Sequence, residues 1–177
     1  MNAKIATRTT VSLAVLAALS IVLSRVLAIN SGPMRFSIGS TPIVLAGLLF
    51  GPIGGVLVGF GADFLGAVFL GNGPYNPLLC VTPILMGLIP GLLRRYVWNK
   101  PSLVRIYAVM LPSYVVGAML YTTFILAKFI YSDTTFLPLL GWRVLTYVIT
   151  LAVDGFIIFL LIKTNMFYSL GIVKKNQ

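Results

Sequence analysis

The fold of this chain is read most directly from residues 51–70, which are GPIGGVLVGFGADFLGAVFL. The segment is apolar apart from Asp63, and its length of about 20 residues suits a helix that crosses a bilayer. Gly51, Gly55 and Gly59 recur at spacing four and predict close packing against another helix. The segment is neither a phosphate loop nor a dinucleotide-binding fingerprint, because no Gly-Lys-Ser/Thr follows it and no strand precedes it.

The whole chain is as apolar in composition as this segment suggests. Of the 177 residues, 59% are apolar and 9% are charged, and the mean hydropathy is +1.02. A soluble globular domain has about 45–50% apolar and about 25% charged residues. At about 20 residues per crossing, this length supplies roughly five to seven transmembrane helices and little else. The composition therefore predicts an integral membrane protein.

Six transmembrane helices are predicted, so the chain is expected to be an all-α membrane protein with a single membrane domain over residues 1–177. The first run, residues 11–29, follows a basic start, and Arg25 argues against a signal peptide because such a segment is uncharged there. A second helix opens at Pro42 and has only about ten residues, or roughly 15 Å, too few to cross alone. Either residues 36–41 extend it in an irregular form, or the protein is thin there. The approximate spans are 9–29, 41–51, 53–70, 78–95, 103–128 and 137–163.

The basic residues are distributed unequally between the two sides of this arrangement. With the N-terminus in the cytoplasm, nine of them lie on the inner side and four on the outer side. This asymmetry follows the positive-inside rule and predicts that both termini are cytoplasmic. The inner residues are Lys4, Arg8, Arg94, Arg95, Lys100, Arg105, Lys163, Lys174 and Lys175, and the outer ones are Arg25, Arg35, Lys128 and Arg143.

The inventory of reactive side chains argues against an enzyme. The chain has no histidine, a single cysteine (Cys80), and three acidic residues, which are Asp63, Asp133 and Asp154. Imidazole bases, thiolate clusters and paired carboxylates are therefore missing or scarce. We expect no catalytic residue, no metal site and no cofactor.

The four outer cations predict an anionic ligand that arrives from outside. Only Asp133 lies on that side to neutralise them, so the outer half is electropositive. Arg143 and Tyr147, at spacing four, share a helix face and could hold a carboxylate and a ring. The alternative for each arginine is snorkelling towards the lipid headgroups.

The loop of residues 71–77, GNGPYNP, is a second candidate contact for a ligand. Asn72, Tyr75 and Asn76 offer directional hydrogen bonds beside an aromatic face, and loops on a rigid scaffold often carry binding groups. The alternative is that these residues only form the turn between two helices.

Asp63 is expected to be either part of a site or the partner of a buried arginine or hydroxyl. Tyr114 is interpreted as a packing residue.

Ala14 and Ala18 lie at spacing four in the first helix. Small residues at this spacing let another helix approach closely. They predict a docking face for another membrane subunit, with packing inside this protein as the alternative.

These features together resemble the substrate-binding (S) components of energy-coupling factor (ECF) vitamin transporters. Residues 36–52, FSIGSTPIVLAGLLFGP, followed by GFGAD at residues 59–63, are most similar to the folate-specific member. The resemblance implies a multi-pass protein of the bacterial cell membrane that captures its vitamin outside and topples to release it inside. It also implies a transmembrane coupling subunit, which Ala14 and Ala18 would face, and two cytoplasmic ATPases as partners. ATP hydrolysis would then belong to those partners.

The resemblance places the ligand pocket at the outer loops and the outer ends of the later helices. Folate offers carboxylates for cations, rings for stacking and a pterin edge for amides or a carboxylate. The candidates are Arg25, Arg35 and Arg143 for the glutamate tail, Phe36, Tyr75 and Tyr147 for the rings, and Asp63, Asn72 and Asn76 for the pterin. Riboflavin or pantothenate is the alternative ligand, although a neutral vitamin leaves the outer arginines unexplained. A structural membrane subunit without a ligand and an enzyme acting on lipids are the remaining alternatives.

Overall fold

The computed structural model describes residues 3–31, 34–70, 76–99, 101–130 and 136–164, and these ranges are helical apart from one short hairpin and the connecting turns. The long first element is α1 (Ala3–Ile21), continued as a π-helix over Val22–Val26. Two strands follow, β1 (Ile29–Ser31) and β2 (Met34–Phe36). The other helices are α2 (Ser40–Phe50), α3 (Pro52–Leu70), α4 (Pro77–Leu92), α5 (Arg94–Asn99), α6 (Leu103–Ser113), α7 (Thr122–Ile125) and α8 (Phe136–Lys163), with π-helical turns over Tyr114–Tyr121 and Leu126–Ile130.

Four helical stretches of the described residues are long and apolar enough to cross a membrane. They are Thr7–Val26, Pro52–Leu70, Leu103–Lys128 and Leu140–Lys163, and the shorter apolar helices are α2 and α4. The fold is thus a bundle of apolar helices, as the composition predicts. Six crossings and cytoplasmic termini remain predictions.

The direction of each long helix follows from residues that meet across the bundle. Gly54 lies beside Leu13 and Gly66 beside Arg25, so α1 and α3 run parallel. Gly55 lies beside Gly87 and Gly59 beside Pro83, so α4 runs antiparallel to α3. The ends of α1 and α3, the hairpin and the start of α4 consequently lie at one end of the bundle, called here the hairpin end, and α8 contacts the hairpin through β2.

The hairpin is not among the elements predicted from the sequence, and it is an addition to the predicted all-α class. Ile29 pairs with Phe36, Asn30 with Arg35, and Ser31 with Met34 in antiparallel register. Strands of three residues are too short for an alternating pattern to reveal them. An isolated two-stranded hairpin is marginal, but β2 packs against α8, which supports it.

The short helix α2 lies inside the protein. Nine of its eleven residues are buried, and it packs against α1, α3, α4 and α8. A helix with protein on all sides does not need the length of a membrane span, since lipid does not reach its ends. The preceding residues are β2 and a turn, so the chain enters α2 from non-helical backbone.

The backbones of α2, α3 and α4 approach one another closely at glycine residues. A Cβ atom added to Gly55 would lie 2.3 Å from the carbonyl oxygen of Gly87, and one added to Gly47 would lie 2.4 Å from the same oxygen. A Cβ atom added to Gly59 would lie 2.3 Å from the Pro83 carbonyl oxygen. The contact of α2, α3 and α4 around Gly87 is named here the glycine seam. Gly51 instead ends α2 with a φ of 88°, a conformation that favours glycine.

Candidate functional site

Arg25 and Asp63 contact one another near the hairpin end. Arg25 Nη2 lies 3.5 Å from Asp63 Oδ1, and the two side chains are 21% and 24% exposed. Arg25 leans along α3 where Gly66 offers no side chain, because a Cβ there would lie 3.3 Å from Arg25 Nε. Two residues predicted as separate ligand groups are therefore partners in one ion pair, which is the alternative stated for Asp63.

Arg143 and Tyr147 share one face of α8, as their spacing predicts. Arg143 Nη2 donates a hydrogen bond of 2.8 Å to the Tyr147 hydroxyl, and the guanidinium carbon lies 5.4 Å from the centroid of that ring. Arg143 Nε is buried and has no hydrogen-bond partner among the described residues. The guanidinium is therefore held by its own helix, and its Nε–H has no acceptor within the described part of the chain.

Tyr147 leads inward to a buried carboxylate. Its ring meets the Tyr114 ring edge to face, with centroids 6.4 Å apart, and the Tyr114 hydroxyl donates to Asp154. Asp154 is 0% exposed and also accepts hydrogen bonds from Ser40 Oγ at 2.5 Å and Thr41 Oγ1 at 2.7 Å. This series of contacts, named here the buried polar chain, consists of Arg143, Tyr147, Tyr114, Asp154, Ser40 and Thr41.

The inner end of the buried polar chain is the start of α2. Ser40 and Thr41 are its first residues, and the preceding Gly39 has no side chain with which to cap it. Negative charge is favoured at a helix N-terminus by the aligned peptide dipoles. Asp154 of α8 supplies that charge, with the two hydroxyls between the carboxylate and the helix.

The sequence pattern did not reveal this cluster. Tyr114 was interpreted as a packing residue, Asp154 was given no role, and neither Ser40 nor Thr41 was predicted to contribute to a site. The signal that could have found it is the acidic residue itself, since a carboxylate in an apolar helix requires donors nearby. Thr123 was also missed: it is 0% exposed, and its Oγ1 has no partner among the described residues.

The remaining predicted ligand residues divide into those with a described position and those without. Phe36 ends β2 and is partly buried, and Asn76 caps α4 by accepting a 3.0 Å hydrogen bond from the Leu78 backbone N–H. That cap agrees with the turn interpretation of Asn76. Arg35 is placed by its backbone, but its side chain lies outside what the structure describes, and Asn72 and Tyr75 lie outside the described residues altogether.

Ala14 and Ala18 lie on the surface of α1. Both are exposed, and Val11 and Val15 beside them are 57% and 60% exposed. The opposite side of α1 packs inward, where Leu13 meets α3. Within the described part of the chain, the small residues are therefore not used for packing.

The same described residues contain no group of three His, Cys, Asp or Glu side chains that could hold a metal ion.

Comparisons with known proteins relate this arrangement to a transporter family. A family model described as ECF-type riboflavin transporter, S component, matches residues 4–170. The folate transporter FolT of Clostridium novyi (strain NT) is 30% identical over 82 residues, which are 46% of this chain and 46% of that protein. The chain thus spans about half the length of the curated relative that it matches.

A crystal structure, that of FolT bound with folic acid, resembles the fold over most of its length. The TM-score is 0.72 with 23% sequence identity, and the match covers 88% of this chain and 92% of that chain. At this identity the likeness concerns the arrangement of the helices.

Proposed function

The chain belongs to the family of ECF-type riboflavin transporter S components, and on that premise we propose that it is the vitamin-binding subunit of an ATP-driven importer, with folate as its vitamin. It captures folate at the hairpin end and releases it to the cytoplasm after toppling in the bilayer. In this proposal the chain crosses the bacterial cell membrane six times with both termini in the cytoplasm. ATP is hydrolysed by partner subunits, and this chain is not an enzyme.

The observation that carries the choice of folate is the state of Arg143. A cationic side chain on an apolar helix is costly unless an anion or strong acceptors meet it. Tyr147 accepts from Nη2, whereas the buried Nε has no acceptor among the described residues. A carboxylate of the folate glutamate would supply the acceptor and the opposite charge together.

Other residues, some of them predicted from the sequence, would complete the pocket around this arginine. Tyr147 and Phe36 present rings near the hairpin end, and Thr123 offers a buried hydroxyl without a described partner. Asn72 and Tyr75 stay predictions from the loop sequence. Arg25 is paired with Asp63, so we assign the glutamate tail of folate to Arg143 in preference to Arg25.

Riboflavin is the second candidate, because the matching family model carries its name. It lacks a carboxylate, and the buried Arg143 Nε would then need a neutral acceptor. The relative named for folate and the fold shared with a folic acid complex support the first candidate.

The partners are proposed from the family and from the surface of α1. A transmembrane coupling subunit would pack on the exposed Ala14 and Ala18, where small side chains allow close approach of a second helix. Two cytoplasmic ATPases complete the proposed complex.

The proposal is tested by titrating the purified protein in detergent with folate and with riboflavin. Trp142 is 52% exposed and adjoins Arg143 in sequence, so its fluorescence reports on this region. Trp98 donates to the Leu48 carbonyl towards the other end of α2. For the wild-type protein we expect folate to quench the fluorescence saturably, with one-to-one stoichiometry and a Kd in the nanomolar range. The Trp142→Phe variant should bind folate with the same heat but show little quenching. Tight riboflavin binding without folate binding would overturn the choice of vitamin, and no binding of any vitamin would overturn the binding role.

Arg143→Gln is expected to weaken folate binding by about 1–3 kcal/mol, or roughly 5–150-fold in Kd, because the charge that meets the carboxylate is lost. The measurement is calorimetric titration in detergent. Lys128→Gln is the matched control: Lys128 is an exposed predicted outer cation, 5.6 Å from the Phe124 ring, and its loss should leave Kd within twofold. Unchanged affinity in Arg143→Gln would remove the anion role from this residue.

A further inference from the structure

Asp154 has no part in the binding role proposed above, although it is the charged side chain that the described residues bury completely. A carboxylate in such surroundings is costly unless donors surround it. Here three hydroxyls do so, those of Ser40, Thr41 and Tyr114. The Asp154 carboxylate therefore receives its hydrogen bonds from side chains of this chain.

These hydroxyls come from two different parts of the bundle. Ser40 and Thr41 open α2, and Tyr114 begins the π-helical turn after α6. Tyr114 Oη also lies 3.0 Å from Ser40 Oγ. Asp154 thus joins α8 to both elements at one point, and it fixes where the Tyr114 ring stands.

The position of Tyr114 affects the position of Arg143 through Tyr147. Its ring meets the Tyr147 ring at 79°, a favourable edge-to-face arrangement. The Tyr147 hydroxyl in turn accepts from Arg143 Nη2 at 2.8 Å. A change in the tilt of Tyr114 would free the Tyr147 ring to move, and the Arg143 guanidinium, which donates to the Tyr147 hydroxyl, would then lose its fixed position.

We propose that Asp154 is a positioning residue for the ligand-binding arginine: by holding Tyr114 it orients Tyr147, and Tyr147 directs the Arg143 guanidinium towards the carboxylate of the ligand. This inference rests on the proposed function, since it assumes an anionic ligand at Arg143. It makes the affinity for the anionic part of a ligand depend on a side chain that the ligand does not touch.

The test uses Tyr114→Phe, which removes the hydroxyl and keeps the ring, together with Asp154→Asn. The control is Tyr107→Phe, because the Tyr107 hydroxyl also bridges to α8, at 2.8 Å from the Ala152 carbonyl oxygen, but lies outside the buried polar chain. The two ligands are folate and folate diamide, in which both glutamate carboxylates are replaced by carboxamides. Tyr114→Phe is expected to weaken folate binding roughly tenfold and to leave binding of the diamide, which offers Arg143 no anion, within about twofold.

A double-mutant cycle distinguishes positioning from general support of the fold. In the Arg143→Gln background, Tyr114→Phe should have no further effect on folate binding, because its effect passes through the arginine. Equal losses for folate and folate diamide, or losses that add to those of Arg143→Gln, would overturn the inference. If Asp154→Asn does not fold, Tyr114→Phe carries the same test.

A second readout needs no ligand. The Nε–H resonance of Arg143, assigned by its disappearance in Arg143→Gln, should shift in Tyr114→Phe and stay in place in Tyr107→Phe. An unmoved resonance would overturn the inference. Failure of the wild-type chain to bind folate would instead overturn the proposed vitamin, so the two failures are separate.

Discussion

Gly87→Ala is expected to lower the midpoint of thermal unfolding in detergent by roughly 6–12 °C, which corresponds to about 3 kcal/mol of unfolding free energy. The added Cβ would lie 2.2 Å from the carbonyl oxygen of Gly55 and 2.4 Å from its carbonyl carbon. These atoms belong to the backbone of α3, so no side chain can turn aside to make room. The helices of the glycine seam must separate, and their burial of α2 is lost with them.

Gly61→Ala is the matched control for this prediction. Gly61 also lies in α3, but a Cβ there would meet no atom within 4 Å. Alanine in a helix is favoured over glycine by roughly 0.5–1 kcal/mol, so the midpoint should stay the same or rise by a few degrees. If Gly87→Ala unfolded at the wild-type temperature, the close approach of α3 and α4 described above would be wrong.

Replacing both Ala14 and Ala18 by Trp is expected to abolish folate uptake and to leave folate binding unchanged. The two side chains are exposed on α1, so large rings there do not disturb the interior. They would hold the proposed coupling subunit away from the helix, because close approach requires small residues. Uptake is measured in cells that also produce the partner subunits, and binding is measured on the purified chain.

Phe156→Trp with Leu160→Trp is the control for this pair. These residues have the same spacing on α8 and are 53% and 44% exposed, so the variant adds aromatic bulk to a different outer face. It should keep both binding and uptake. Uptake that survives in the Ala14 and Ala18 variant would place the docking face elsewhere.

The sequence predicts this fold well where the information is local. Apolar runs bounded by Gly-Pro or basic residues mark the helices, and glycines at spacing four in residues 51–59 indicate close packing against another helix, which the structure shows to be α4. Arg143 and Tyr147 were predicted to share a face because four residues make about one helical turn. Each of these inferences depends on neighbours within a few positions.

Contacts between distant residues could not be predicted in this way. Tyr114 and Asp154 are 40 positions apart, and Thr41 and Asp154 are 113 apart. Which hydroxyls surround a buried carboxylate depends on the direction and rotation of three separate elements. The pairing of Arg25 with Asp63, 38 positions apart, was open for the same reason: either residue alone also fitted a ligand.

The glycine seam has a consequence for how the molecule moves. Gly47, Gly55 and Gly87 touch through main-chain atoms, so the seam contains no rotamer that could switch to let one helix slide past another. We therefore expect α2, α3 and α4 to behave as a single rigid body. A protein that reorients as a whole in a membrane must transmit torque from one face to the other, and such a body can transmit it without deforming.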